Sequence, residues 1–352
     1  MNDVWNYLKN TDKPIVMYGT GNGADKILDI FYTYGIKVSD ICTSDDFYRP
    51  KNFRGYPLIK LSDVMDKYED CIIVLAFAVF REDMIKKIKD ISTRFEVLAP
   101  HVSIFGTKFF SYEILQSCRK EIKKAYHLLY DEKSKQVFEN IIRYRLSGKL
   151  QYLYDCEDTR DDVFNTIIKL RTDEIYLDLG AYRGDTIEEF LKFTEGKYEK
   201  IIALEPDIKN YNKLCDYVDS QAINKIETHN KASWFKKEAV RFDGGGGRNS
   251  SIMDPLEADT GHTVDAIDVD TLLEGSPVSY VKMDVEGSEI QTIMGMEKTI
   301  ETYKPKLAIS AYHHTDDLFV LPLLIHRLNK DYKIFLRHHP YIPDWETNYY
   351  CI

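Results

Sequence analysis

Tyr176–Thr186, YLDLGAYRGDT, is an apolar run that closes on an acid and a glycine, turns through a second glycine and opens on helix-forming residues. Such a strand–turn–helix passage is the unit of a parallel α/β sheet. The neighbouring sequence repeats it. EIYLDLG, KIIALEP, KIETHNKAS, VSYVKMD, PKLAISAY and YKIFLRHH read as buried strands. Helical periodicity falls near 186–194, 208–218, 287–302 and 316–329. The expected fold is therefore α/β, with its chemistry on loops at the carboxyl ends of the strands.

The glycines of the turn let a ligand approach the backbone. The spacing is not G-x-G-x-x-G, and Asp178 and Asp185 put carboxylates on both sides of it. Like charges make this a poor pyrophosphate cradle. S-adenosylmethionine, with an amino group and a sulfonium, suits it. The bland alternative is an ordinary turn whose glycines serve packing. The candidate cofactor set is Asp178, Gly180, Ala181, Tyr182, Gly184, Asp185 and Thr186. Glu205 and Pro206 at the end of the next strand join it, since an acid there can accept from two ribose hydroxyls. Lys231 and Ala232, in NKAS after the third strand, would lie beside an adenine.

SYVKMDVEGSEI, Ser279–Ile290, gathers Lys282, Asp284, Glu286 and Glu289 around one glycine. Acids are favoured at helix starts in any case. Lys282 and Asp284 share one face of a strand, which makes a salt bridge between them the expected state of the lysine. Glu289 is expected to be a cap or solvated. Asp284 is the first candidate to position or deprotonate an acceptor hydroxyl, and Glu286 the second. His313 and His314, in AYHHTDD, come to the same sheet edge. Either is a candidate base, or joins Asp284 in a divalent metal site; the alternative is two polar loop histidines. His338 and His339 are expected at the surface or on a substrate rim.

DLGAYRGDT, ALEPD, VDAIDVDTLL and VKMDVEGSEIQTIMG, in this order, resemble the FkbM family of S-adenosylmethionine-dependent methyltransferases. The similarity runs over about 173–340. Where that family often has Asn two residues after the first glycine, this chain has Tyr182. The resemblance implies a class I (Rossmann-like) methyltransferase domain. It also implies methyl transfer to a hydroxyl of a glycan, sugar nucleotide, glycolipid or secondary metabolite, with Asp284 among the residues facing the cofactor.

Upstream, PIVMYGTGNGA, VSDICTSDD and CIIVLAF read as strands of a second, smaller parallel α/β domain. The expected organisation is a Rossmann-like nucleotide- or sugar-nucleotide-binding-type domain over 1–104, a helical connector over 105–172 and the methyltransferase domain over 173–352. Gly19, Gly21 and Gly23, with Asp45 and Asp46, leave open an NAD- or nucleotide-sugar-dependent oxidoreductase or epimerase. A non-catalytic sugar-nucleotide-binding module is a third reading, disfavoured by the intact acids and glycines at 178–184, 205 and 284. Tyr56 and Lys60 match a Y-x-x-x-K dyad by chance, since Pro57 lies between them. DGGGGRNSS lacks the Gly-Lys-Ser/Thr of a phosphate loop; it reads as a hairpin or lid, with Arg248, Ser250 and Ser251 near an acceptor.

The net charge of −10 argues against nucleic acid as the main partner. No apolar run is long enough to span a membrane, and MNDVWNYLKNTDK lacks a signal-peptide core. Six scattered cysteines with no C-x-x-C pair point to the reducing cytoplasm. Homo-oligomerisation is left open.

Overall fold

The computed structural model describes residues 3–106, 108–243, 251–252 and 262–352. The chain divides into two compact units. The first comprises Met1–Lys123, Lys135–Asp158 and His338–Glu346; the second comprises Lys124–Ser134, Thr159–Arg337 and Thr347–Ile352.

The first unit is built on six strands: β1 (Ile15–Tyr18), β2 (Asp40–Thr43), β3 (Asn52–Phe53), β4 (Tyr56–Lys60), β5 (Ile72–Leu75) and β6 (Glu96–Leu98). Their order is β3-β4-β2-β1-β5-β6. All pairings are parallel except the β3–β4 hairpin. Short runs flanked by polar residues hid β3, β4 and β6 from the sequence pattern. The helix Asn22–Tyr34 buries Ala24, Ile27, Leu28 and Phe31 on one face, the stripe that helical periodicity requires. These side chains pack with Trp5, Met17, Ile72 and Val74 in the core.

The second unit carries a seven-stranded sheet. Its members are β7 (Ile175–Leu179), β8 (Lys200–Leu204), β9 (Ile226–His229), β14 (Tyr280–Met283), β15 (Lys306–Ser310), β16 (Ile334–His338) and β17 (Thr347–Cys351). The order is β16-β17-β15-β14-β7-β8-β9, with β17 antiparallel to β15 and the β7, β8, β9, β14 and β15 pairings parallel. This is a class I methyltransferase sheet. The rings of Tyr176, Phe190 and Tyr280 cluster in the core beneath it, Tyr176 at 4.4 Å from Phe190 and 5.0 Å from Tyr280.

A smaller sheet, ordered β10-β13-β11-β12, joins β10 (Ala232–Ser233), β11 (Glu238–Asp243), β12 (Ser251–Ile252) and β13 (His262–Ile267). It corrects one expectation, for KIETHNKAS is two strands, β9 and β10, in different sheets. The chain turns at Asn230, whose side-chain amide donates to the carbonyls of Glu205 and Pro206 at 2.9 and 3.0 Å. A second correction concerns 287–302, which forms two helices, Glu289–Met294 and Glu297–Tyr303. The break is at Gly295, where a Cβ would stand 2.1 Å from the Trp234 carbonyl oxygen. A third concerns His338 and His339, both buried. His338 ends β16, and His339 Nδ1 sits 2.8 Å from the Asp158 carbonyl oxygen. Arg248 and Ser250 lie outside the described residues, and of Ser251 only its place in β12 is described.

Candidate active site

The loops leaving β7, β8, β14 and β15 at their carboxyl ends hold nearly all the expected site residues. After β7 the backbone turns sharply. Gly180 has φ +88°, and its N–H and that of Ala181 donate to the Leu204 carbonyl at 3.0 and 2.9 Å. A Cβ on Gly180 would stand 2.0 Å from the Asp284 carbonyl oxygen, so only glycine lets the two loops touch. Gly184 (φ +97°) precedes the helix Asp185–Phe193. Tyr182, between the glycines, has φ +48°, a costly conformation for a bulky residue and one that clusters at functional loops.

Asp178 is fully buried at the end of β7. Its Oδ2 accepts from Thr186 Oγ1 at 2.5 Å, while Oδ1 has no hydrogen-bond partner. Burial pushes its carboxyl up to about 6 against the opposing pull of Lys282 and Thr186. Asp185 is exposed on the first helical turn. Glu205, 6% exposed, accepts from the Tyr182 N–H through Oε2 and from the Asp207 N–H through Oε1, both at 2.9 Å. Burial pushes it up to about 8, although those N–H groups favour its charged form. Pro206 follows directly. Lys231 is half-buried and Ala232 is buried at the start of β10.

After β14 the charges of the second motif converge. Lys282 Nζ lies 3.2 Å from Asp284 Oδ2, the expected salt bridge. Tyr312 donates its hydroxyl to Asp284 Oδ1 at 3.2 Å. Burial would raise the Asp284 carboxyl, but the Lys282 ammonium and the His313 imidazole hold it well below the usual carboxylate range. Glu286, at φ +52° and directly before Gly287 at +91°, occupies the strained position of this turn. Burial pushes its carboxyl up to about 8; His313 opposes the rise and Asp284 and Glu289 reinforce it.

Of the two expectations for Glu289, a cap or a solvated acid, the second is overturned: it is 1% exposed. Its Oε1 accepts from the Val285 N–H at 3.1 Å and lies 2.8 Å from His313 Nδ1. His313 Nε2 lies 3.4 Å from both Asp284 Oδ1 and Glu286 Oε2. Burial works against a charged His313 ring, but Glu289 and then the other two acids raise it to about 10. His314 faces elsewhere: its N–H donates to Asp317 Oδ2 at 2.7 Å and its Nε2 is 3.0 Å from the Gly287 carbonyl oxygen. Burial and the Glu289 charge push Asp317 up to about 8.

Sequence reasoning missed Glu289, Tyr312 and Asp317 as members of this cluster, and Ser310 and Asn348 beside it. Ser310 and Asn348 face each other across β15 and β17, with Ser310 Oγ 3.3 Å from Asn348 Oδ1. Only the order of strands in space brings β17 here. The acids of EGSE and HHTDD were visible, but nothing local showed that they would be buried together.

In the first unit, two of the three glycines after β1 have packing reasons. A Cβ on Gly19 would stand 2.8 Å from the Phe77 ring, and one on Gly23 would stand 2.7 Å from the Ala76 carbonyl oxygen.

A family model for the methyltransferase FkbM domain matches residues 178–339. The chain is similar to the crystal structure of Methyltransferase FkbM from Methylobacillus flagellatus KT, with 21% identity and a TM-score of 0.74, over 97% of this chain and 90% of that one. Precorrin-6y C5,15-methyltransferase from Geobacter metallireducens GS-15 is 10% identical, with a TM-score of 0.34, over 58% of this chain and 87% of that one. Aeropyrum pernix fibrillarin, in complex with S-adenosyl-L-methionine, is 10% identical, with a TM-score of 0.35, over 54% and 72%. At those scores the last two carry no argument. No curated protein matches the chain. Residues 178–339 are a methyltransferase domain of the FkbM family, a family whose methyl donor is S-adenosylmethionine, and they follow a separate N-terminal α/β domain.

Proposed function

We propose that this protein is an O-methyltransferase acting on a hydroxyl of a glycan, sugar nucleotide, glycolipid or secondary metabolite. The observation that carries the reading is the contact of two turns. The glycine turn at 180 abuts the acid turn at 284 so closely that a Cβ would not fit. A group held by the first turn is therefore presented to the carboxylates of the second.

The residues fit S-adenosylmethionine. Asp178 Oδ1 is a buried acceptor without a partner, suited to an amino group, and the missing Cβ at Gly180 lets the Asp284 loop close on the turn beside it. Glu205 keeps lone pairs beyond the two backbone N–H bonds that it accepts, enough for ribose hydroxyls. Ala181, Tyr182, Gly184, Asp185, Thr186 and Pro206 line the same loops, and Lys231 and Ala232 flank the adenine end. The cofactor supplies a methyl group on a sulfonium, a carbon already activated toward an oxygen nucleophile. The chain's task is then chiefly positioning and the removal of one proton. Asp284, fixed by Lys282 and Tyr312, orients the hydroxyl. Glu286, its side chain 27% exposed, takes the proton. His313 holds the two carboxylates in place.

The six unpaired cysteines favour a reducing cytoplasmic setting, and the net charge of −10 disfavours nucleic-acid acceptors. Among the described residues no helix is long and apolar enough to cross a membrane.

Calorimetric titration with S-adenosylhomocysteine and NAD is the direct test. One S-adenosylhomocysteine per chain is expected, with affinity at least tenfold lower in Glu205→Ala. Glu286→Gln should retain that affinity and lose turnover on whichever hydroxyl acceptor takes up labelled methyl. Binding of NAD alone would move the active site to the N-terminal unit.

A further inference from the structure

The registers of the large sheet carry the site past Asp284. Lys282 pairs with Asp178 on one side and with Ala308 on the other, and Ala308 pairs with Tyr350. One row nearer the carboxyl ends, the line continues as Gly180, Asp284, Ser310 and Asn348, the last two in direct register. Paired residues of neighbouring strands share a face, so polar side chains run from the glycine turn across β14 and β15 to β17. Asn348 is the far end of that line and is 5% exposed. Its Oδ1 faces Ser310 Oγ at 3.3 Å, and its Nδ2 is buried with no hydrogen-bond partner among the described residues.

An amide nitrogen carries two N–H donors. Ser310 also hydrogen-bonds to the Asp284 carboxyl and helps to lower it. Its single proton serves either that carboxylate or Asn348. If the carboxylate takes it, the amide turns one N–H to Ser310 Oγ, and the second N–H is still open. In both orientations Asn348 therefore keeps a buried donor unanswered. That is costly, whereas an apolar side chain of the same shape would carry no such cost.

We propose that Asn348 reads the acceptor: its open N–H donates to an oxygen on the carbon next to the one that bears the methylated hydroxyl. This rests on the O-methyl transfer proposed above and narrows its acceptors to sugar rings, which carry oxygens on neighbouring carbons. Glu205 and the glycine turn, the cofactor's contacts in that reading, follow β8 and β7. Asn348 lies two strands beyond Asp284 on the other side, so its partner is the acceptor. Neighbouring strands stand about 4.8 Å apart, which puts Asn348 roughly 10 Å from Asp284 across the row. Once the two side chains have reached inward, with a hydrogen bond of about 2.9 Å at each end, the gap suits adjacent oxygens rather than distant ones. A phenol or an isolated alcohol would leave the N–H open.

The test uses the full chain and S-adenosylmethionine with a labelled methyl group. The probes are the methyl pyranosides of glucose, galactose, mannose and xylose, with monodeoxy analogues of those that accept methyl. Removing the oxygen next to the methylated hydroxyl should lower kcat/KM by about tenfold or more, because a site built to hydrogen-bond an oxygen rejects the analogue without it. In Asn348→Leu that difference should vanish, with S-adenosylhomocysteine bound as tightly as by the parent protein. A deoxy analogue as good as its parent sugar overturns the proposal, as does an undiminished preference in Asn348→Leu. If that variant fails to fold, the parent protein decides: a pyranoside added with S-adenosylhomocysteine must shift the Asn348 side-chain amide resonances, and resonances that stay in place overturn the assignment. Failure of every pyranoside to accept methyl, with S-adenosylhomocysteine bound, also overturns it and leaves the cofactor reading standing. Absence of S-adenosylhomocysteine binding removes the methyl-transfer reading on which this inference rests.

Discussion

Glu205 shows how one side chain joins stability to ligand binding. Its carboxyl titrates at about 8 in the folded protein because it is buried, against about 4.3 for an unhindered glutamate. A carboxyl raised on folding stabilises the fold most below its unfolded value, and that contribution is lost as pH rises through about 8. Ribose hydroxyls bind a carboxylate more strongly than a carboxyl. Affinity for S-adenosylhomocysteine should therefore rise between pH 6 and 9, while the thermal stability contributed by Glu205 falls. In Glu205→Gln the rise in affinity should disappear. A calorimetric pH series on both proteins checks this, and parallel pH profiles would remove Glu205 from the cofactor's contacts.

At the scale of one element, the helix Asp317–Leu328 carries Pro322 in its interior. Proline has no N–H to give to the carbonyl four residues earlier, here Leu318. The structure answers that carbonyl from another element: the buried hydroxyl of Tyr349, on β17, donates to Leu318 O. Tyr349→Phe would leave the acceptor unsatisfied and should cost about 1–3 kcal/mol. In a Pro322→Ala background the helix regains its own N–H donor, so the same change should cost much less. Urea melts of the four proteins form a double-mutant cycle; equal losses in both backgrounds would show that the tyrosine does not compensate for the proline.

For the molecule as a whole, the chain is not divided by a single cut. The unit that holds the methyltransferase sheet also takes in Lys124–Ser134. Ser134 Oγ accepts from the Leu336 N–H at 2.9 Å and from Arg337 Nη1 at 2.8 Å, and Asp131 Oδ2 pairs with Arg337 Nη2 at 2.6 Å. Arg337 is buried in β16, so removing its carboxylate leaves a charge poorly answered. Asp131→Ala should cost roughly 2 kcal/mol, below the 3–5 kcal/mol of a fully buried pair, because the Asp131 side chain is 32% exposed. Burial would raise Asp131, but Arg337 and Ser134 bring it below its ordinary value. The stabilisation is thus present above that value and fades as pH falls through the lowered one. Denaturant midpoints at pH 7 and pH 3 test this: a loss of equal size at both would show that the pair's charge is irrelevant. A fragment starting at Thr159 lacks this support and should melt below the full chain.

Local pattern was enough for the parallel strands of the second unit, for β1, β2 and β5 of the first, and for the glycine turns. A buried parallel strand is apolar along its length, and a sharp turn that meets another backbone needs glycine wherever it lies in the fold. Asp178, Gly180, Glu205 and Asp284 could be picked out for that reason. The small sheet of β10–β13, the inserted strand β17 and the break at Gly295 could not. Each depends on a partner distant in sequence, as Gly295 depends on the carbonyl of Trp234. The same holds for Glu289. From its neighbours it is an acid on a first helical turn, where solvent would be its ordinary surrounding. Only the order of strands in space, which sets β15 beside β14, brings His313 over it and turns a helix-start acid into a buried member of a charge cluster.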